Sequence, residues 1–273
     1  MAKKERLDVL VYQRGLAPSR EMAQRYILAA EITVDGMVMT KPGQRVPADA
    51  EVVLKEVARY VSRGGLKLEQ ALADFPITVS GQVCADVGAS TGGFTDCLLQ
   101  HGAAKVYAID VGYGQLAVKL RDDPRVIVME RTNVRYLETL EEPVALVAID
   151  VSFISLSLIL PVVRSWLRAS GDVIALIKPQ FEAGKADVGK GGIVKDSAVH
   201  RQVLYEVLAN AEALGFRVQG LRQSPITGTK GNIEFLMWLG WRPASGPECP
   251  LASANLDTLI RRVSPADDSG ESG

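Results

Sequence analysis

The chain has 273 residues, 47% of them hydrophobic, with 31 Lys and Arg against 32 Asp and Glu for a net charge of −1. That is enough apolar material for one large core plus a small accessory module, and no stretch approaches the ~18 uninterrupted apolar residues of a membrane span. The basic start MAKKERLDVLV lacks the apolar region of a signal peptide, and Cys84, Cys97 and Cys249 are odd in number and far apart, so a soluble cytoplasmic protein with no membrane partner, disulfide framework or metal is expected.

Charge is unevenly spread. Residues 1–67 carry a net +4 and the remainder a net −5, which makes the front of the chain the part suited to meeting phosphate. Within it, apolar residues fall at helical spacing from Arg6 to Tyr12 and again from Ser19 to Leu28, with Ser19 placed as an N-cap. ITVDGMVM reads as two short strands around Asp35-Gly36, a type I′ hairpin signal, and AEVVLKE adds one more strand. Two helices on a small sheet within about 60 residues suit a binding module better than an enzyme.

The stretch RLDVLVYQRGLAPSREMAQRYILAAEITVDGMVMTKPGQRV resembles the S-four RNA-binding domain found in a small-subunit ribosomal protein, pseudouridine synthases and bacterial tyrosyl-tRNA synthetases. The resemblance implies that Ser19, Arg20, Arg25 and Lys41 face RNA phosphates; Arg6 and, further on, Arg63 and Lys190 are expected as additional basic RNA contacts. One departure is Ala30-Glu31, where the family commonly has a glycine before the strand.

VARYVSRGGLKLEQAL joins the modules, its Gly64-Gly65 pair preceding a helix from about Leu66. Strands and helices then alternate: QVCADVG, a helix from Phe94 to His101, AKVYAID, a helix about Gln115 to Leu120, VIVME, VALVAID, a helix about Leu156 to Leu167, DVIALIK, and a helix about Val199 to Leu214. FRVQGLRQS and NIEFLMWLGW close the series without a helix between them and should pair antiparallel at one edge. Continuous apolar strands alternating with helices predict an α/β fold, a doubly wound and mostly parallel sheet covered on both faces. The expected organisation is a small α+β RNA-binding domain over 1–59, a linker over 60–66, an α/β domain over 67–242 and a partly disordered tail over 243–273 with a short helix in LDTLIRRV.

Four apolar runs stop on a charged residue: VCAD at Asp86, VYAID at Asp110, LVAID at Asp150 and IALIK at Lys178. In an open parallel sheet ligands bind beyond the carboxyl ends of the strands, so these termini should converge on one pocket. DVGASTGGF follows the first, at a strand-to-helix turn where glycines permit close approach of a ligand to main-chain N–H groups. It fails the dinucleotide pattern, because Ser90 stands where the second glycine belongs, and Asp110 is placed to accept from ribose hydroxyls. A ligand with a ribose and an amino-acid moiety but no pyrophosphate fits better than NAD.

This stretch resembles the S-adenosylmethionine-binding motif of Rossmann-like methyltransferases, and within them the FtsJ-like RNA 2′-O-methyltransferases. The resemblance implies S-adenosylmethionine as cofactor, with Asp86, Gly88, Ser90, Gly92, Gly93 and Phe94 at its methionine end, Asp110 on the ribose, and Thr132, Asn133 and Val134 beside the adenine. It further implies a catalytic Lys-Asp-Lys-Glu tetrad at Lys67, Asp150, Lys178 and Glu234. In those roles Lys178 contacts the attacking hydroxyl, Asp150 orients it, Lys67 stabilises charge and Glu234 holds Lys67; a carboxylate inside IEFLMWLGW must otherwise face water. The Gly- and Lys-rich FEAGKADVGKGGIVKD is expected to be a lid or RNA-contacting loop, and His101 and His200 to be surface residues.

As a whole the chain resembles the TlyA family, whose members methylate ribose 2′-hydroxyls of cytidines in ribosomal RNA, some also carrying a haemolysin label. The expected function is therefore an S-adenosylmethionine-dependent rRNA 2′-O-methyltransferase whose partner is ribosomal RNA or a ribosomal subunit. The alternatives are a membrane-active haemolysin and a non-catalytic RNA-binding assembly factor.

Overall fold

The computed structural model describes residues 3–55, 58–242 and 255–264. It separates into two compact units, Met1–Arg59 and Tyr60–Gly273.

The first unit holds β1 (Lys4–Arg6), α1 (Leu7–Gln13), α2 (Arg20–Leu28), β2 (Ile32–Val34), β3 (Met37–Met39), β4 (Arg45–Pro47) and β5 (Val52–Leu54). Ser19 caps α2, its side chain accepting from the Met22 N–H at 3.2 Å. Asp35 and Gly36 both take positive φ, as the hairpin between β2 and β3 requires. β2 is the centre of a three-stranded sheet in the order β3-β2-β5, and Leu7, Leu10, Val11, Ala23, Ile27, Ile32 and Val34 form the core beneath the helices. The ribbon of β1 with β4 was not signalled by sequence, because Lys4–Arg6 is wholly charged and Arg45–Pro47 ends on a proline, neither of which reads as a strand.

Residues 60–66, expected as a linker, open the second unit. Tyr60 is buried in its core, α3 (Gly64–Asp74) starts two residues before the expected helix, and Gly65 lies against Tyr60 where a Cβ would collide with that side chain. There follow β6 (Val83–Val87), α4 (Gly93–Gln100), β7 (Lys105–Ile109), α5 (Val118–Arg121), β8 (Val126–Met129), β9 (Val144–Ile149), α6 (Leu160–Trp166), β10 (Leu167–Ile177), α7 (Pro179–Glu182), α8 (Ser197–Ala213), β11 (Arg217–Gln223), β12 (Phe235–Trp241) and α9 (Leu256–Val263). The helix expected from Leu156 instead begins as a 3-10 turn over Leu156–Leu158, and α6 restarts where Pro161, having no N–H, fits a first turn. The expected tail lies outside the described residues except for 255–264, which contain α9.

The seven-stranded sheet runs β11-β12-β10-β9-β6-β7-β8. β12 is antiparallel to β10 and β11, and β10, β9, β6, β7 and β8 are parallel to one another. Alternate residues of each central strand point to opposite faces. Ala85, Val87, Val147 and Ile149 pack in one core layer with Leu160, Leu204 and Leu208, whereas Cys84, Leu146 and Ala148 pack in the other with Leu68 and Leu98. This is the doubly wound arrangement that the continuous apolar strands predict, and it brings the carboxyl ends of β6, β7, β9 and β10 to one side.

Candidate active site

The turn after β6 is built by close backbone approach. Gly88 has φ +86, and a Cβ there would collide with the main chain of Asp150, so only glycine lets the two strand ends lie together. Asp86 is fully buried, and its Oδ2 accepts from both the N–H (2.8 Å) and the hydroxyl (2.6 Å) of Thr95 in the first turn of α4. Its Oδ1 is buried with no hydrogen-bond partner among the described residues. Burial pushes the Asp86 carboxyl up to about 7, the Thr95 hydrogen bonds opposing and the charges of Asp150 and Asp110 adding to the rise. Ser90 has φ +48, and its N–H donates to Asp110 Oδ2 at 2.7 Å while Gly112 N–H donates to Oδ1 at 2.7 Å. Each carboxylate oxygen retains a lone pair for a further donor.

Two cavities meet at this turn. One, of about 400 Å³, is walled by Asp86, Gly88, Ser90, Gly93, Phe94 and the charged cluster described below, with Arg63 at its rim. The other, of about 490 Å³, runs past Asp110 to Thr132, Asn133 and Val134. Gly88, Ser90, Asp150 and Ser152 belong to both. Phe94 is only 3% exposed and serves mainly as core between α3 and α4. Gly92, expected on the cofactor wall, turns its α-carbon towards Leu116 and Leu120, because its left-handed φ of +95 reverses the chain into α4.

The four charged residues of the expected tetrad lie in the first cavity as a row of alternating sign. Glu234 Oε2 is 2.5 Å from Lys67 Nζ, Lys67 Nζ is 4.0 Å from Asp150 Oδ2, and Asp150 Oδ1 is 2.6 Å from Lys178 Nζ. Lys178 also donates to Ser152 Oγ at 3.0 Å. Lys67 and Lys178 are each 8% exposed and Glu234 3%, with Asp150 half-buried between the two cations, so each charge compensates its neighbour. Glu234 immediately precedes an interior strand and has found a cation rather than water. Phe153, which lines the second cavity, is 88% exposed with φ +63, and its ring lies tilted at 49° against that of Phe181, centroids 4.9 Å apart.

The basic residues of the first unit divide. Arg6 and Arg20 both hold buried Asp8 at 3.0 Å, so part of their charge is committed to joining α1 and α2. Arg25 and Lys41 are exposed, as is Lys190. The loop carrying Lys190 is tied down by Lys230, whose Nζ donates to Gly191 O at 2.8 Å, and by Asn232. His200, expected at the surface, is 4% exposed, its Nε2 lying 3.1 Å from Val194 O and its ring edge-on to Phe235, because α8 turns that face onto β12. Ser152, Thr95, Gly228 and Asn232 shape the site and were missed; only Ser152, two residues after Asp150, carried a positional signal.

Residues 60–241 match the FtsJ-like methyltransferase family and residues 5–52 match the S4 domain. YqxC of Bacillus subtilis (strain 168) is 53% identical over 90% of this chain and 89% of its own. The 16S/23S rRNA (cytidine-2′-O)-methyltransferase TlyA of Mycobacterium tuberculosis (strain ATCC 25618 / H37Rv) is 45% identical over 96% of this chain and 98% of its own. A haemolysin-named protein of known structure from Streptococcus thermophilus is 47% identical, covers 96% of each chain and superposes with a TM-score of 0.70. Among the described residues no helix is long and apolar enough to cross a membrane. With an S4 domain in front of an FtsJ-like domain, and both the alternating charge row and the glycine turn in place, the chain belongs to the TlyA family of FtsJ-like methyltransferases.

Proposed function

We propose that this chain is a cytoplasmic enzyme that methylates ribose 2′-hydroxyls of ribosomal RNA, at cytidines, using S-adenosylmethionine. The observation that carries the reading is the row Glu234, Lys67, Asp150, Lys178 in a cavity that continues past the glycine turn to Asp110. The M. tuberculosis relative is named for this reaction on ribosomal RNA.

The residues present fit the cofactor. Asp86 offers a buried, unpartnered carboxylate oxygen to an ammonium, Asp110 offers two oxygens to vicinal hydroxyls, and the two cavities adjoin along Gly88, Ser90, Asp150 and Ser152, as a bent, elongated ligand requires. When bound, S-adenosylmethionine supplies a methyl group on a sulfonium, an electrophile that needs an oxygen nucleophile in line with it. The Lys178 ammonium, 2.6 Å from Asp150, donates to the ribose oxygen and orients it, and the Asp150 carboxylate accepts the hydroxyl proton as the methyl group leaves sulfur for that oxygen. Lys67 stabilises the charge that grows on the oxygen, and Glu234 keeps its ammonium in place. Arg25 and Lys41 of the S4 domain supply phosphate contacts, and exposed Phe153 gives an aromatic face on which a base can stack.

The test is incubation with radiolabelled cofactor and separated ribosomal subunits, followed by mapping of 2′-O-methyl positions. Label on ribose of ribosomal RNA is expected, and Lys178→Ala should reduce transfer at least about 100-fold while leaving the cofactor Kd within a few-fold. Retention of RNA and cofactor with no transfer would make the chain a binding factor instead.

A further inference from the structure

We propose that Gly228 is a positioning residue for the Lys67–Glu234 pair, and that Asn232 fixes where it stands. The inference rests on the methyltransferase reading above. Gly228 has φ −73 and ψ −168, extended backbone that any residue adopts, so its conformation gives no reason for glycine. Space does. A Cβ at this position would lie 2.6 Å from Glu234 Cδ and closer still to Oε1. The carboxylate that holds Lys67 occupies the volume of the side chain that Gly228 lacks.

Gly228 has little room to retreat. Its N–H donates to Asn232 O at 2.9 Å, and Asn232 is 3% exposed with every side-chain polar atom engaged. Asn232 Oδ1 accepts from Val194 N–H at 3.1 Å, and Nδ2 donates to Gly192 O at 2.9 Å and Thr229 O at 3.3 Å. The loop after α7 and the loop before β12 are therefore fastened to each other at one side chain, with Gly228 held against Glu234. An added methyl group must displace the movable partner, the end of the Glu234 side chain, into the open cavity. That movement lengthens the 2.5 Å contact with Lys67 while leaving both charges in the same cavity, so the cost falls on the reaction more than on the fold.

Gly228→Ala in the full-length protein should lower kcat about tenfold or more, with KM for cofactor and for ribosomal RNA within about twofold and the thermal midpoint within a few degrees. Glu234→Asp shortens the side chain by one methylene and vacates the contested space. Adding Gly228→Ala to Glu234→Asp should therefore lower kcat no further, a strongly non-additive pair. Wild-type kcat in Gly228→Ala, or the same fold-loss in both backgrounds, overturns the inference. If Gly228→Ala does not fold, the double variant decides: folding with the kcat of Glu234→Asp supports the steric account, and failure to fold rejects it. Absence of methyl transfer by the unmutated protein would instead reject the methyltransferase reading.

Discussion

Glu234 and Lys67 lie 167 positions apart in the chain and meet at 2.5 Å as two buried side chains on the wall of one cavity. Removing one partner leaves the other charge buried, which commonly costs about 3–5 kcal/mol, whereas replacing both with apolar groups of similar size is often neutral. Glu234→Ala is therefore expected to lose about that much in chemical denaturation, less whatever the open cavity returns by hydration. Lys67→Met/Glu234→Leu should recover most of the stability and none of the methyl transfer. Equal stability of the single and double variants would show that the pair is solvated in solution.

Asp86 makes stability depend on pH. Its folded value of about 7 lies above the ordinary carboxyl value of 3.8, so between those limits the folded chain holds a proton that the unfolded chain has released. The favourable contribution is complete below about pH 4 and is lost as pH rises to 7, at about 1.4 kcal/mol for each pH unit. Asp86→Asn should flatten the thermal midpoint of the cofactor-free protein between pH 5 and 8 and raise it at pH 8, while weakening cofactor binding. A variant that keeps the slope of the parent would assign it to another group.

The Asp8 cluster has the opposite sign. Burial resists ionisation of Asp8, but hydrogen bonds from Arg6, Gln24 and Arg20 outweigh it and hold the carboxyl well below the usual range. Its contribution is present above about pH 4 and is lost as pH falls through the lowered folded value. Asp8→Ala should thus loosen the first unit at neutral pH, seen as faster amide exchange in α1 and α2. Arg20→Ala should reduce RNA affinity and exchange protection together, whereas Lys41→Ala should reduce RNA affinity and the salt slope alone.

Ala30 stands with φ +60 at the end of α2, where the S-four pattern commonly has glycine. An L-residue in that region costs about 1–2 kcal/mol, partly offset by the greater freedom glycine gains when unfolded. Ala30→Gly should stabilise the first unit by about 0.5–1 kcal/mol, measured by amide exchange in α2. A loss of protection would mean that the Ala30 methyl group contributes packing that outweighs the strain.

Local pattern carried much of this protein. Continuous apolar runs and apolar spacing of 3.6 locate the sheet and most of its helices, Asp35-Gly36 locates the hairpin, and the charges that terminate four strands point to the crevice, because each of these is a rule about neighbours in sequence. Family resemblance then selects Lys67 and Glu234, which composition alone would leave as a solvated helix residue and an oddity before a strand. The pairing of those two, the burial of His200, the inward turn of Gly92 and the space that Gly228 yields to Glu234 were settled only when β12 entered the sheet beside β10 and α3 folded against α4. Contacts across such separations depend on the path of the whole backbone, and no short window of residues encodes them.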